Sequence, residues 1–336
     1  MTRTEQRFHA LSGGQSYTIA FDATPLGKGG QGRVHRISRI DRTQVYGAWV
    51  VKFLDDSSNA LAFRLQALVD LLSAQSLNTQ GLACLPVVLT SSSGLLSIVM
   101  RYAPGPDLAQ SEAVPPGATL PKRLAATFEL ARSVRRLHAE DIVIGDLAHD
   151  NIIISPENWA LYLVDVDGAG FTWKGRHYAE SANNSSKGQF CPPEYVDSVP
   201  YSRQMDLWGL SVLIHFILTD RFPISMFNWE MVYAEPSGPS WPPATHAETA
   251  GHLRKLNQLG TPIRDGFLHA FNAGRKHAWK RLLAWQWEQL LAQAQQHMYQ
   301  CWAPGCEGSE PFVALNDNSA VMYECPACGT PLVARP

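Results

Sequence analysis

Residues Ile142–Phe171 read IVIGDLAHDNIIISPENWALYLVDVDGAGF, and the rest of the chain is organised around them. Two β-branched apolar runs, Ile152–Ile154 and Leu161–Val164, predict a short hairpin closed through Ser155–Asn158. Asp146-Leu-Ala-His-Asp-Asn151 stands just before the first run, and Asp165 follows the second. Acidic residues at loop ends are commonly turn formers, so no single one of them decides anything. As a set they fit one chemistry. Phosphoryl transfer needs a carboxylate to accept a hydroxyl proton, and an amide oxygen with a second carboxylate to hold Mg²⁺ against ATP phosphates. Asp146 fits the first role, and Asn151 with Asp165 the second.

Composition narrows the classes that remain. The 336 residues suffice for about two domains, and 45% hydrophobic content supports a substantial core. Lys+Arg 28 against Asp+Glu 30 gives a net charge of −2, which removes a general case for nucleic-acid or anionic-membrane binding. The start, MTRTEQRFHA, is polar and lacks the apolar region of a signal peptide. The run Leu207–Leu218 is too short to span a bilayer and contains His215. A cytoplasmic location is the expectation.

Upstream, Gly27-Lys28-Gly29-Gly30-Gln31-Gly32 fits G-x-G-x-x-G. That pattern also opens helices in dinucleotide-binding folds. Here the chain continues into Val34–Ile40 without helical apolar spacing, so the order is strand, glycine loop, strand. Trp49-Val-Val-Lys52-Phe53 then sets a lysine inside an apolar strand. A buried ammonium costs several kcal/mol unless paired, so Lys52 should meet an anion. Leu61, Leu65, Leu68 and Leu72 predict a helix with one apolar face. Leu95–Met100 reads as a strand, and Leu124, Phe128, Ala131, Val134 and Leu137 as a helix leading toward Asp146.

In this order the motifs resemble the eukaryotic-type protein kinase superfamily, over roughly residues 16–295. The resemblance implies an α+β, bilobal fold with a β-rich N-lobe (16–104) and a helical C-lobe (105–297). It implies ATP and Mg²⁺ as cofactors, Asp146 as base, and Asn151 and Asp165 on the metal. Gly27, Gly29, Gly30, Gly32, Val34, Val50, Lys52, Met100, Arg101 and Ala103 would surround the nucleotide, with Met100 at the gatekeeper position and the next residues forming the hinge. Gly168–Gln189 would be a mobile activation loop, ended by Pro192-Pro193-Glu194. The Glu would pair with a distant arginine, for which Arg281 is the candidate. Asp206, opening an apolar helix, would clamp the catalytic loop from beneath.

The chain also departs from that pattern. Kinases pair the strand lysine with a glutamate on the next helix, and no Glu lies between Lys52 and Glu112. Gln66 and Asp70 are the acidic or amide candidates on that helix. Ile144 and Gly145 stand where His-Arg usually precede the catalytic Asp, and Ala148 replaces the usual lysine. Asp165-Val166-Asp167 replaces Asp-Phe-Gly, and Asp167 could assist the metal or simply turn the chain.

Four of the six cysteines fall in the last 36 residues, as Cys301-x₄-Cys306 and Cys325-Pro-Ala-Cys328-Gly329. Two such pairs suit a tetrahedral Zn²⁺ site, each on a tight turn. A zinc ribbon over 298–336 follows. Glu307, Glu310, Asp317 and Glu324 against Arg335 argue for a structural cap or protein-docking module rather than a DNA reader.

The primary expectation is an ATP/Mg-dependent Ser/Thr protein kinase acting on protein substrates. The alternatives are an ATP-sensitive pseudokinase scaffold, prompted by the missing Glu and Ala148, and a small-molecule kinase of aminoglycoside or choline type. The nearest resemblance is to bacterial kinases with a C-terminal zinc ribbon. Similar proteins are associated with a phosphatase and a von Willebrand A-type protein in tellurite-resistance-linked phosphorylation systems.

Overall fold

The computed structural model describes residues 2–29, 31–45, 47–77, 84–110, 118–180, 188–195, 199–223, 241, 255–306, 310–316, 322–325 and 327–332. Gly30, residues 181–187 of the expected activation loop, and the proline-rich stretch 235–243 apart from Trp241 lie outside them.

The strands within residues 3–101 form an antiparallel sheet. Its strands are β1 (Arg3–Ala10), β2 (Ser16–Asp22), β3 (Gly27–Gly29), β4 (Gly32–Ile40), β5 (Thr43–Gln44), β6 (Trp49–Leu54), β7 (Pro86–Ser92) and β8 (Leu95–Arg101). The order runs β2-β1-β7-β8-β6-β4-β3, and β2 also pairs with β4, so the sheet closes on itself. Closure leaves β4, β6 and β8 paired on both sides, and β1 meets β7 only through His9 and Ala10. Phe8, Ile19, Phe21, Ile37, Val51, Phe53 and Val99 fill one apolar cluster within it.

The sheet starts earlier than the expected boundary at residue 16. Residues read from sequence as a polar leader form β1, in register with β2 from Arg3↔Asp22 to His9↔Ser16. Only Phe8 and Ala10 of β1 are buried, which is why its composition looks like a tail.

Helix α1 (Asn59–Ala74) covers the other face of β6 and β8. Ser58 caps it by accepting from the Leu61 amide at 3.3 Å. Leu65 and Val69 pack against Val50, Leu54, Leu89, Ile98 and Met100.

The C-terminal half is helical. Helix α2 (Leu120–Ala139) has a proline in its first turn, as helices tolerate. Helix α3 (Arg203–Thr219) is buried along almost its whole length, the signature of a central helix. Helix α4 (Gly260–Leu268) runs on through a π turn at His269–Ala273. Helix α5 (Ala284–Gln296) packs on α2 and buries Trp287, whose indole donates to the Ser211 hydroxyl at 3.3 Å. Among the described residues no helix is long and apolar enough to cross a membrane.

Between these halves lies the expected hairpin, β9 (Ile152–Ile154) with β10 (Leu161–Leu163). The segment after β8 docks on it: Leu108 N donates to Ile152 O at 2.9 Å and Ile154 N to Pro106 O at 3.0 Å. The first part of the expected mobile loop is instead a second hairpin, β11 (Phe171–Trp173) with β12 (Arg176–Tyr178). Lys174 and Gly175 both take positive φ at its turn, the type I′ geometry that suits a two-residue connection.

Candidate functional site

β6 sits between β4 and β8, with Lys52 opposite Val34 on one side and Ile98 on the other. Its side chain is 5% exposed. The burial argument made from sequence therefore applies, and the ammonium is doubly paired. Nζ donates to Asp167 Oδ1 and Oδ2 at 3.1 and 2.9 Å, and also to Asp165 Oδ1. Burial favours the neutral amine, but Asp167 and Asp165 outweigh it and hold the Lys52 ammonium above its ordinary range.

The two aspartates differ in setting. Asp165 follows the β9–β10 hairpin in the left-handed backbone region, with φ 63°. A non-glycine residue there is held at a cost of about 1–3 kcal/mol, typical of positions fixed for function. Its side chain is 39% exposed, whereas that of Asp167 is 6% exposed.

The expected helix partners do not reach Lys52. Gln66 Nε2 donates to Asp70 Oδ1 at 2.8 Å, one turn apart, so the two side chains turn to each other rather than to Lys52. What α1 does send toward the site is a cation. Arg64 donates to the carbonyls of Asp167 at 2.6 Å and Ala169, and through Nε to Ala179 at 3.3 Å. Arg64 was missed from sequence. Its signal was available, because it lies one turn from Leu61 and Leu68 beside the apolar stripe, where a cation needs a partner just as Lys52 does.

On the opposite wall, a 3₁₀ turn at His149–Asn151 presents the loop between Asp146 and β9. Asn151 Nδ2 donates to Asp146 O at 2.8 Å, which ties the two residues together and makes Oδ1 the ligand end of the amide. Val164 N donates to Asn151 O at 3.0 Å and joins this turn to β10, one residue before Asp165. Asp206 holds the loop from below: its carboxylate accepts from Ile144 N at 2.8 Å, Gly145 N at 3.0 Å and His138 Nε2 at 3.0 Å. Asn151, Asp165 and Asp146 offer amide and carboxylate oxygens, the hard donor type that could hold Mg²⁺.

The other residues expected around a nucleotide lie mostly on the strands that carry and flank Lys52, with Gly30 outside the described residues. Val34 and Val50 join Met100 in the apolar cluster under α1. Arg101 ends β8 with an exposed side chain, and Ala103 is buried. Gly27 and Gly29 pair with Val34 and Gly32 across the β3–β4 hairpin, whose turn contains Gly30, outside the described residues. At Gly32, with φ +151°, an added Cβ would lie 2.0 Å from the Phe53 carbonyl, so only glycine fits.

Farther down, Arg281 meets Glu194 in a bidentate pair at 2.6 and 2.5 Å. The arginine side chain is fully buried. The segment after Gln189 is thereby anchored to the chain before α5.

The four clustered cysteines also converge. Cys301 Sγ lies 3.7 Å from Cys328 Sγ, Cys306 Sγ lies 3.7 Å from Cys325 Sγ, and all four fall within 4.8 Å of one another. A tetrahedral zinc with Zn–S of 2.3 Å has sulfur edges of about 3.8 Å, so the donor set fits. Hydrogen bonds from Thr330 hold the Cys328 thiol down to about 6, giving thiolate character at neutral pH. By contrast, burial pushes Cys84 up to about 12, as befits an inert core thiol. The strand β14 (Phe312–Val313) pairs with β13 (Met298–Tyr299) and has two working faces. Phe312 and Ala314 pack with the cysteines, while Val313 and Leu315 enter the core of the helical half.

A family profile described as protein kinase domain matches residues 22–236. The chain is 27% identical over 169 residues to cAMP-dependent protein kinase type 3 of Saccharomyces cerevisiae, covering 49% of this chain and 40% of that protein. It is 27% identical over 144 residues to serine/threonine-protein kinase ppk25 of Schizosaccharomyces pombe, covering 41% and 32%. Against sperm motility kinase Z of Mus musculus it is 31% identical over 96 residues, covering 28% and 18%. The chain thus spans less than half the length of these curated relatives.

Proposed function

The chain belongs to the protein kinase family, and from that premise we propose that it is an ATP/Mg-dependent protein kinase transferring the γ-phosphate to a serine or threonine hydroxyl. One observation carries the reading: the buried Lys52 cation contacts Asp165, at the end of the hairpin whose other end carries the bonded Asp146–Asn151 loop.

In the reaction Lys52 holds the α- and β-phosphates, a role that needs a desolvated, permanently charged ammonium. Asn151 Oδ1 and Asp165 would hold Mg²⁺, which supplies charge neutralisation on the phosphates when bound. Asp146 accepts the proton of the substrate hydroxyl as the oxygen bonds to phosphorus and the ADP oxygen leaves. Asp206 fixes the loop that carries Asp146. The hinge segment around Arg101–Ala103 would meet adenine through its backbone.

The pseudokinase alternative rested on the missing helix Glu and on Ala148, and the first of these left the lysine without a helix partner. Lys52 is paired from the metal loop instead, which favours activity. The Glu194–Arg281 anchor, in the segment expected to dock a peptide, favours a protein substrate over a small molecule. The cysteine module is proposed to bind one structural Zn²⁺, with no open coordination position. A cytoplasmic bacterial setting, with a phosphatase and a von Willebrand A-type protein as partners, is proposed on the sequence resemblance.

Incorporation of label from γ-labelled ATP into a generic protein substrate tests the reading. Native protein should incorporate label and Asp146→Ala should not; equal incorporation by both would sink it.

A further inference from the structure

Lys52 has more anion than one ammonium needs. Two carboxylates contact it, and they are not equivalent. Asp165 is the more exposed and takes the left-handed backbone conformation. It is also the carboxylate that the proposed function commits to metal. Asp167 is buried and spans the ammonium with both oxygens, and its own carbonyl is gripped by Arg64. Once Asp165 turns to metal, a buried ammonium with no other partner would be strongly destabilising. Among the described residues, Asp167 is the group able to prevent that.

We propose that Asp167 is the positioning carboxylate of this site. It holds Lys52 in its phosphate-binding place from within the metal loop and frees Asp165 for Mg²⁺. Arg64 completes the arrangement by tying α1 to the same loop through backbone carbonyls. The charges are arranged in reverse of a helix carboxylate reaching to the strand: the helix supplies the cation and the loop supplies the acid. A Cβ-bearing acid is affordable at residue 167 because it lies in a 3₁₀ turn, Val166–Gly168, which aims the side chain inward. The inference rests on the kinase reading of the same site.

The test is a double-mutant cycle on the full chain, using Lys52→Met, Asp167→Asn and the pair together. The readouts are binding of a fluorescent ATP analogue over a Mg²⁺ titration, the kcat and KM split for ATP, and the melting temperature. Asp167→Asn should weaken analogue binding, raise the Mg²⁺ needed and raise KM by about tenfold, because Lys52 then competes for Asp165. In the Lys52→Met background the same substitution should change binding by less than about twofold. Asp167→Glu should restore at least part of the affinity.

Asp167→Asn overturns the proposal if it binds the analogue like the native protein, or if its loss persists undiminished without Lys52. Should Asp167→Asn alone fail to fold, the double variant decides. With both charges gone no buried ion is left unpaired, so it should fold and melt above Lys52→Met, which strands Asp167; if it melts below Lys52→Met, the proposal is wrong. Lys52→Met with native nucleotide affinity would instead overturn the kinase reading, whatever Asp167 does.

Discussion

At the scale of single residues, the two contacts of Lys52 predict different penalties. Lys52→Ala removes the phosphate cation and strands Asp167 as a buried, unpaired carboxylate, an error that typically costs about 3–5 kcal/mol. It should abolish phosphoryl transfer and lower the denaturant midpoint. Asp165→Ala should abolish transfer as completely with a smaller loss of stability, since that side chain is 39% exposed. Turnover assays paired with urea unfolding check both. If Asp165→Ala kept near-native turnover while Asp167→Ala lost it, the metal ligand would be Asp167. These residues illustrate what sequence could and could not say. A lysine within an apolar strand announces that it needs an anion, but nothing local says which one, because the answer lies 115 residues away.

At the scale of elements, the junction of α2 and α3 is held by charge. Asp220 ends α3 in the left-handed region, where its amide donates to Phe216 O at 2.8 Å. Its carboxylate accepts from Arg123 of α2 at 2.5 and 2.8 Å and from Lys255 at 2.9 Å. Burial opposes ionisation, yet those hydrogen bonds and charges hold the Asp220 carboxyl below its ordinary range. A depressed folded-state value contributes stability above the unfolded carboxylate range, near pH ~4, and loses it as the pH falls further. Native protein should therefore lose urea resistance on acidification more steeply than Asp220→Asn, a variant that tolerates the same backbone. Identical acid limbs would remove this junction from the account. The β11–β12 hairpin carries a second prediction. Arg64 reaches the chain on both sides of it, at Ala169 and Ala179, without help from a phosphate. Ser181, Ser185 and Ser186 lie outside the described residues, and no arginine precedes Asp146 to receive a phosphate from them. The triple Ser→Ala variant should keep turnover to within about tenfold, ~1.4 kcal/mol in the barrier. A larger loss would show that loop phosphorylation controls the site.

At the scale of the whole molecule, the cysteine module is joined to the helical half rather than hung from it. Thr261 N donates to Leu315 O at 3.2 Å, and Ala314 N to His297 O at 2.8 Å. At Gly260, with φ +73°, an added Cβ would come within 3.0 Å of Leu315 O, so the two parts approach backbone to backbone. The contact runs through α4 and the end of α5, not through the exposed Trp279. A module this small does not bury enough surface to fold alone, and thiolate binding of zinc supplies about 10–16 kcal/mol of apparent free energy. Elemental analysis should find about one zinc per chain, lost in Cys325→Ser with Cys328→Ser. Chelation should also lower the melting temperature of the helical half, because Val313 and Leu315 belong to its core. Calorimetry showing an unchanged transition after complete zinc removal would separate the two.

Patterns of short period were legible in the chain itself. The β9–β10 hairpin, α1, α2 and α3 follow from apolar spacing, and the acids flanking the hairpin from their fixed offsets along one stretch. The cysteine cluster follows from two close pairs, since each turn gathers its own thiols. These features depend on neighbours in sequence, where backbone geometry dictates which side chains share a face. The tertiary structure decided the partners. Asp167 rather than Gln66 or Asp70 took Lys52, Arg64 gripped the loop after β10, β1 joined the sheet, and alternate residues from Phe312 to Leu315 divided between the cysteine cluster and the helical core. Each of these choices is a contact between distant segments, fixed only when packing selects which buried charge or apolar face has somewhere to go.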